Sequence, residues 1–213
     1  MTLHDPSKTL HLGPPLAEAR GALVLLHGRG GSAQDMSALA RHLARPGLAC
    51  LVPEAADHTW YPRRYLAPLA ENEPWLGSAL SLVNQLAHLV SAAGIPAERT
   101  CLLGFSQGAC LALEAVFRSP GRYSFVIAFS GALIGPPDTP RPPAPGVLGG
   151  THVFIGCGDF DAHVSIDHVR HSADVLAGRG ADVDLRIYEG MGHTINQDEL
   201  DAAAAICERL VAG

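Results

Sequence analysis

The sequence predicts an α/β fold in which a doubly wound, mostly parallel sheet carries helices on both faces. Several short segments are apolar throughout, as strands are when both of their faces are buried. Segments with helical spacing of apolar residues alternate with them, and right-handed crossovers between parallel strands give this alternation. A glycine-containing turn at residues 104–108 joins one such strand directly to the next helix. Active sites of doubly wound folds lie at the carboxyl ends of strands, and this turn is at such an end.

The predicted elements follow one another in a regular order along the chain. Strands are expected at residues 21–27, 48–52, 100–105, 124–129, 151–156 and 183–188. Helices are expected at residues 33–44, 74–93, 109–117, 166–177 and 198–211, and Ser32 is a good N-cap for the first. Residues 135–150 are rich in proline and glycine and are expected to form a loop. The chain has 213 residues and no visible repeat, which suits one domain over residues 1–213.

Composition and charge narrow the classes of function. The chain is 47% hydrophobic and 17% charged, as globular proteins are. Its formal net charge is −6 and it has no basic run, which argues against nucleic acid as a partner. No apolar stretch is long enough for a membrane span, and the polar N-terminal region lacks the apolar core of a signal peptide. These features favour a cytoplasmic protein.

The sequence contains residue types that bind metals, but their spacing does not form a metal site. His168 and His171 are three apart on a predicted helix with His163 just before, yet no carboxylate or cysteine completes a site. The five cysteines include no C-x-x-C pair, so we expect buried, reduced thiols. The sequence also lacks a glycine-rich nucleotide-binding motif with its downstream acid. We therefore predict neither a metal nor a cofactor.

Ser106 is the candidate nucleophile. It is the central residue of a G-x-S-x-G motif, the nucleophile elbow of serine hydrolases, and it lies between a predicted strand and a predicted helix as the motif requires. The flanking glycines allow the helix to begin close to the strand, and the N-terminus of the helix favours a developing oxyanion. The alternative is a strand-to-helix turn whose serine has no chemical role.

A serine nucleophile needs a base, and the base needs an acid that orients it. His193 is the histidine that follows the predicted helix at 166–177, and it stands in a glycine-containing loop after the last strand. We predict that it is the general base, the alternative being a solvated loop histidine. The acid is expected after the strand at 151–156, where Asp159 and Asp161 both satisfy the chemistry.

The oxyanion of such a reaction needs two backbone N–H donors. One is expected from Gln107, the residue after the nucleophile. The other is expected from the glycine-rich loop at residues 27–31, which follows an early strand. The alternative interpretation of that loop is a simple turn.

Together these motifs resemble the phospholipase/carboxylesterase family of α/β-hydrolases, which also contains the acyl-protein thioesterases. The resemblance covers residues 21–210 and implies an α/β-hydrolase fold without a large lid domain. The family's acid is the second Asp of a G-D-x-D-P-x-V segment and falls on Asp161, although Ala162 and His163 replace the proline and the neutral residue. The second oxyanion N–H falls on Arg29, where thioesterase relatives usually have leucine and a bacterial esterase branch has arginine.

The substrate-binding residues are expected on the long segment at 55–75, which leaves the carboxyl end of a strand. Trp60 and Tyr61 form an aromatic wall for the substrate or, alternatively, pin the segment to the core. His27, at the start of the oxyanion loop, is a third candidate for substrate contact. Nearby arginines either contact an anionic group of the substrate or are solvated or paired with acids: Arg29, Arg63 and Arg64.

These predictions favour a serine carboxylesterase that hydrolyses short-chain esters and takes a small-molecule ester as its partner. An acyl-protein thioesterase or lysophospholipase acting on long acyl chains is the first alternative. A non-catalytic binding protein with a hydrolase fold is a remote second one, because such proteins have usually lost a member of the triad. Dimers are common in the family, so the resemblance allows a homodimer.

Overall fold

The computed structural model describes residues 3–141 and 144–212. Within them seven strands form one sheet in the order β1-β3-β2-β4-β5-β6-β7, and each neighbouring pair is parallel except β1 with β3. The strands are β1 (Leu10–Leu12), β2 (Gly21–Leu26), β3 (Leu48–Val52), β4 (Thr100–Phe105), β5 (Phe125–Phe129), β6 (His152–Gly158) and β7 (Asp182–Tyr188). The helices are α1 (Ala33–His42), α2 (Trp75–Ala92), α3 (Gln107–Arg118), α4 (Ile166–Gly178) and α5 (Gln197–Val211). The predicted doubly wound α/β fold is confirmed.

The sheet is buried on both faces, which explains why its central strands are apolar throughout. Helices α2, α3 and α4 pack on one face, and α1 and α5 pack on the other. Strand residues alternate between the two cores, so that Leu102 faces the first set of helices and Leu103 the second. All five cysteines are buried and free of disulfides, as expected. No helix of the described chain is long and apolar enough to cross a membrane.

The observed strands differ from the prediction at the edge strand β1 and at the end of β6. Strand β1 was not predicted, because it has three residues and its outward positions give no apolar pattern. It pairs antiparallel to β3, with Leu10 opposite Val52. Strand β6 continues to Gly158, two residues beyond the predicted end, and thereby carries the start of the acid loop. Helix α1 begins with the predicted cap, since the Ser32 side chain accepts a hydrogen bond from the N–H of Asp35.

Glu199 is a fully buried acidic residue in the first turn of α5. Its Oε2 accepts a hydrogen bond of 2.8 Å from the N–H of Asn196, whereas Oε1 has no partner among the described residues. Oε1 lies against the backbone of Gly156 in β6, where a Cβ would collide with it. Burial raises the pKa of the Glu199 carboxyl from 4.5 to about 7.

This raised pKa makes the stability depend on pH. The folded chain retains the Glu199 proton up to about pH 7, while the unfolded chain releases it near pH 4.5, so stability falls as the pH rises through this window. The loss is on the order of 3 kcal/mol, since one pKa unit corresponds to about 1.4 kcal/mol. We expect Glu199→Gln to be more stable than the wild type at pH 8 but not at pH 4, as measured by urea unfolding. Glu208→Gln, an exposed position on the same helix, is the control, and an equal gain at both pH values contradicts the prediction.

Candidate active site

Ser106 occupies a tight turn between β4 and α3. Its backbone has φ of 55° and ψ of −117°, a left-handed conformation that residues other than glycine rarely adopt. Its N–H donates a hydrogen bond of 2.9 Å to the carbonyl of Phe129, which fixes the turn against β5. A Cβ on Gly104 would collide with the backbone of Gly108, so α3 begins this close to β4 because Gly104 has no side chain. A Cβ on Gly108 would collide with the carbonyls of Leu26 and His27 beside β4. The turn therefore presents the serine at the carboxyl edge of the sheet.

His193 connects Ser106 to a carboxylate. Its Nε2 is 2.8 Å from Ser106 Oγ, and its Nδ1 is 2.6 Å from Asp161 Oδ2. The other carboxylate oxygen, Asp161 Oδ1, accepts hydrogen bonds from the backbone N–H groups of His163 and Val164 at 2.8 and 2.9 Å. The carboxylate is thus held in one orientation. With the Nδ1 proton directed at Asp161, Nε2 keeps a lone pair that can accept the serine proton.

Burial and hydrogen bonding act in opposite directions on Asp161. Its side chain is 0% exposed, while that of His193 is 18% exposed. Burial on its own raises the pKa of the Asp161 carboxyl, but the hydrogen bonds from His193 and from two backbone N–H groups outweigh it and hold the pKa below its usual value. The carboxylate is therefore charged at neutral pH and can stabilise a protonated His193.

Asp159, the other acid that the sequence left open, has a different place. Its Oδ1 accepts a hydrogen bond of 2.7 Å from the N–H of Gly190, which ties the acid loop to the loop that carries His193. The two loops also touch at Gly158, where a Cβ would collide with the carbonyl of Met191. Among the described residues it is thus Asp161 that hydrogen-bonds His193, and Asp159 joins the two loops.

Two backbone N–H groups beside the serine have no acceptor in the described chain, those of Arg29 and Gln107. Gln107 is the first residue of α3, so its N–H has no partner within the helix. The loop that carries Arg29 lies against the elbow, because a Cβ on Gly28 would be 3.4 Å from the Cβ of Ser106. These are the two donors that the sequence predicted for an oxyanion.

His27, the first residue of the glycine-rich loop at 27–31, and Trp60 are buried, with 1% and 0% of their surfaces exposed. Their rings are 4.8 Å apart, and Trp60 Nε1 donates a hydrogen bond of 2.8 Å to the carbonyl of His27. His27 Nε2 accepts a hydrogen bond from the N–H of Ala55 at 3.1 Å. Both side chains were candidates for substrate contact, and for Trp60 the alternative was that it pins the 55–75 segment to the core. The structure instead uses their polar atoms and ring faces within the core, where they support the loop.

The side chains of Arg29 and Gln107 hold the 55–75 segment over the site. Gln107 Nε2 donates a hydrogen bond of 2.7 Å to the carbonyl of Tyr61, and Gln107 Oε1 accepts one of 2.9 Å from the N–H of Trp60. The guanidinium of Arg29 donates to the carbonyls of Tyr61 and Pro62 at 2.9 and 3.0 Å. For the Gln107 side chain no role was predicted, and the Arg29 side chain was expected to contact an anionic group, to be solvated or to pair with an acid. The contacts seen here were not predictable locally, because the carbonyls lie more than 30 positions away in the chain.

A pocket of about 700 Å³ opens beside Ser106. Tyr61 borders it, although only 1% of the surface of this residue is exposed. The structure adds lining residues that the sequence analysis did not assign to the substrate: Tyr65, Phe105, Cys110, Ala162, His163 and Val164. Phe105 is a residue of the motif and Cys110 is one helical turn after Ser106, so their nearness to Ser106 in the sequence was the signal for them.

His168 and His171, three residues apart on α4, have different surroundings: His168 is buried and His171 is exposed. His168 is buried and its Nε2 lies 3.0 Å from the carbonyl of Leu133, while the His171 ring is 6.0 Å away. In residues 3–141 and 144–212, no group of three or more His, Cys, Asp or Glu side chains is placed to hold a metal ion.

Comparison with known proteins assigns this architecture to a family. The family model described as Phospholipase/Carboxylesterase matches residues 11–209. The chain belongs to the phospholipase/carboxylesterase family. A crystal structure of a phospholipase/carboxylesterase from Dyadobacter fermentans DSM 18053 is similar to it, with a TM-score of 0.89 and 37% identity over 97% of this chain and 98% of that one. The predicted α/β-hydrolase fold and the resemblance stated from the motifs are both confirmed.

Relatives within the phospholipase/carboxylesterase family carry two kinds of name. Acyl-protein thioesterase 1 of Eremothecium gossypii is 29% identical over 88% of this chain and 86% of that protein. Esterase YpfH of Escherichia coli (strain K12) is 34% identical over 52% of this chain. The matched part is 44% of that esterase, so the similarity spans less than half of its length. Family membership therefore leaves both esterase and thioesterase activity open.

Proposed function

We propose that this protein is a serine carboxylesterase that hydrolyses short-chain esters through an acyl-enzyme on Ser106. One observation carries the proposal: Ser106 Oγ, His193 and Asp161 form a continuous row of hydrogen bonds of 2.8 and 2.6 Å at the wall of a pocket. Membership of a family of ester hydrolases supports it independently.

The first half of the reaction transfers the acyl group to the serine. As Ser106 Oγ attacks the ester carbonyl, its proton passes to His193 Nε2, and Asp161 stabilises the imidazolium that forms. The negative charge that develops on the carbonyl oxygen is held by the N–H groups of Arg29 and Gln107, which have no other acceptor among the described residues. His193 then gives the proton to the departing alcohol, and the acyl group remains bonded to Ser106.

The second half repeats these steps with water. His193 Nε2 removes a proton from a water molecule that attacks the acyl carbonyl, and the same two N–H groups hold the oxyanion. Collapse of the tetrahedral intermediate breaks the bond to Ser106 Oγ, which takes the proton back from His193. The carboxylic acid leaves and the starting state is restored.

The lining of the pocket favours a short acyl group. Its apolar side chains include Tyr61, Tyr65 and Phe105, but Arg29 and Arg64 interrupt them. A long acyl chain gains about 0.8 kcal/mol for each CH₂ that is buried, and this gain requires a continuous apolar wall. Charged groups along the wall keep water near the chain and reduce that gain.

Acyl-protein thioesterase activity is the second candidate. The observation that favours it is the similarity to acyl-protein thioesterase 1 of Eremothecium gossypii, which extends over 88% of this chain. The same row of Ser106, His193 and Asp161 would cleave a thioester, since the acyl-enzyme is identical and only the leaving group differs. Acyl-chain length separates the two candidates.

The test is the hydrolysis of nitrophenyl esters from acetate to palmitate. We expect kcat/KM to be highest for acetate or butyrate and to fall at longer chains, because the charged lining gives a long chain little apolar contact. A maximum at dodecanoate or palmitate contradicts the short-chain proposal and supports the thioesterase candidate. Thioester analogues with the same acyl groups provide a direct second readout.

A fluorophosphonate probe tests the nucleophile itself. The probe forms a stable bond to an activated serine, and mass mapping of the labelled peptide identifies the residue. We propose that the label is found on Ser106 and that prior incubation with a short-chain ester slows its attachment. An unlabelled protein that still binds esters is the outcome expected of a non-catalytic binding protein, and it overturns the proposal.

A further inference from the structure

We infer that the ester substrate carries a carboxylate on its alcohol portion and that Arg64 and His163 bind this carboxylate at the pocket. The inference rests on the proposed function, because it names the substrate class of the same site. It is carried by the charge of the lining, by the contacts of Arg64, and by the position of His163 beside His193.

The charge of the pocket is opposite to that of the chain. Acidic residues outnumber lysine and arginine by 21 to 15 in the whole sequence. The pocket lining nevertheless includes two arginines, Arg29 and Arg64, and the part of it that the structure describes contains neither Asp nor Glu. Asp161, behind His193, has no exposed side-chain surface. A concave site with low-dielectric walls concentrates the field of the charges that line it. The pocket therefore attracts anions although the protein as a whole is acidic.

The two lining arginines differ in how their donors are used. The Arg29 guanidinium is occupied by backbone carbonyls of the 55–75 segment, which fix its position but do not neutralise its charge. Arg64 is exposed, and its hydrogen bond to the carbonyl of His163 is long, at 3.4 Å. Within residues 3–141 and 144–212 neither arginine forms an ion pair, whereas Arg118 and Arg186 do. Arg64 thus has donors and a full charge available for a ligand.

His163 places this anion site on the leaving-group side. Its ring centroid is 4.7 Å from that of His193, and its ring nitrogens have no hydrogen-bond partner in the described chain. His193 delivers the proton to the departing alcohol, so groups beside its ring lie next to that alcohol. Because Arg64 reaches the carbonyl of His163, both side chains flank the same part of the substrate.

Guanidinium and carboxylate are well matched for recognition. The planar fork of arginine donates two parallel hydrogen bonds to a carboxylate, and a histidine N–H adds a third donor. Hydrogen bonds to charged groups contribute more than those between neutral groups. An alcohol portion that bears a carboxylate is therefore distinguished from a neutral one of the same shape.

The experiment compares two acetate esters of the same shape, 4-acetoxybenzoate and its neutral amide 4-acetoxybenzamide. We expect the wild type to have a higher kcat/KM for the carboxylate ester. Arg64→Gln is expected to lower the ratio of the two kcat/KM values by about tenfold, mainly through KM for the carboxylate ester, since a charge-assisted hydrogen bond is lost. Arg64→Lys is expected to recover part of the ratio, because lysine keeps the charge but lacks the fork.

Matched variants make the result specific. Arg63→Gln removes the same charge one residue away, at a side chain outside the pocket lining, and is expected to keep the wild-type ratio. His163→Gln is expected to lower the ratio less than Arg64→Gln does. Equal kcat/KM values for the two esters in the wild type, or equal ratios in Arg63→Gln and Arg64→Gln, overturn the inference. If the inference fails but the neutral ester is still hydrolysed in a Ser106-dependent way, the proposed function stands. If neither ester is hydrolysed in a Ser106-dependent way, the result counts against the proposed function.

Discussion

Replacing Ser106 by alanine is expected to lower kcat for ester hydrolysis by about 10⁵- to 10⁶-fold, to the level that an oxyanion hole and substrate binding alone can supply. The reason is that the Ser106 hydroxyl is the group we propose to form the acyl-enzyme, and its Oγ lies 2.8 Å from His193 Nε2. KM is expected to change little, since the alanine leaves the pocket lining in place. The measurement is steady-state hydrolysis of nitrophenyl acetate by purified protein.

The same position allows a control for folding. Ser106 has φ of 55°, a conformation that is strained for alanine and serine but accessible to glycine, at a cost on the order of 1–3 kcal/mol. Ser106→Gly is therefore expected to be as inactive as Ser106→Ala but more stable by about 1 kcal/mol in urea unfolding. Loss of activity with equal or higher stability shows that the hydroxyl, and not the fold, was lost. An alanine variant within tenfold of the wild-type kcat contradicts the assigned nucleophile.

The row of interacting side chains at the site was predictable in part, because its members follow strands in a fixed order. That order left Asp159 and Asp161 open, and the choice of Asp161 came from the family resemblance. Ser106, Asp161 and His193 stand after β4, β6 and β7, and parallel strands bring their carboxyl ends to one edge of the sheet. The fold was also predictable, because the alternation of apolar strands with amphipathic helices is visible in the local sequence. Local patterns thus placed the polar groups whose position depends on one strand end.

Residues whose position depends on several distant segments were not predictable in this way. Trp60 and His27 were candidates for substrate contact, yet both are buried, and His4 and Ala55 form hydrogen bonds with them. The Nε2 of His4 is 3.0 Å from the carbonyl of Trp60, 56 positions away. No periodicity encodes such a contact. The position of Arg64 at the pocket likewise depends on how the whole 55–75 segment folds back over the sheet.

Replacing Asp161 by asparagine is expected to lower kcat by about 10⁴-fold with little change in KM, the effect of the wrong imidazole tautomer. Asp161 Oδ1 accepts two backbone N–H groups, those of His163 and Val164, so the amide oxygen of asparagine must take that place. The amide NH₂ then faces His193 Nδ1 where the carboxylate Oδ2 was. A ring nitrogen that meets a donor must itself be the acceptor, which moves the ring proton to Nε2. His193 then has no lone pair with which to accept the proton of Ser106.

Asp159→Asn is the matched control, two residues away on the same loop. Asp159 Oδ1 accepts the N–H of Gly190, and an amide oxygen can keep that hydrogen bond, so we expect kcat within a few-fold of the wild type. Steady-state kinetics on nitrophenyl acetate, with thermal unfolding to verify that both variants fold, decide between the two acids. A large loss in Asp159→Asn with a small one in Asp161→Asn reverses the assignment. Both variants remove one negative charge from the same loop, but only Asp161→Asn changes the group that faces His193 Nδ1. The comparison therefore separates the effect of the imidazole tautomer from the effect of the lost charge.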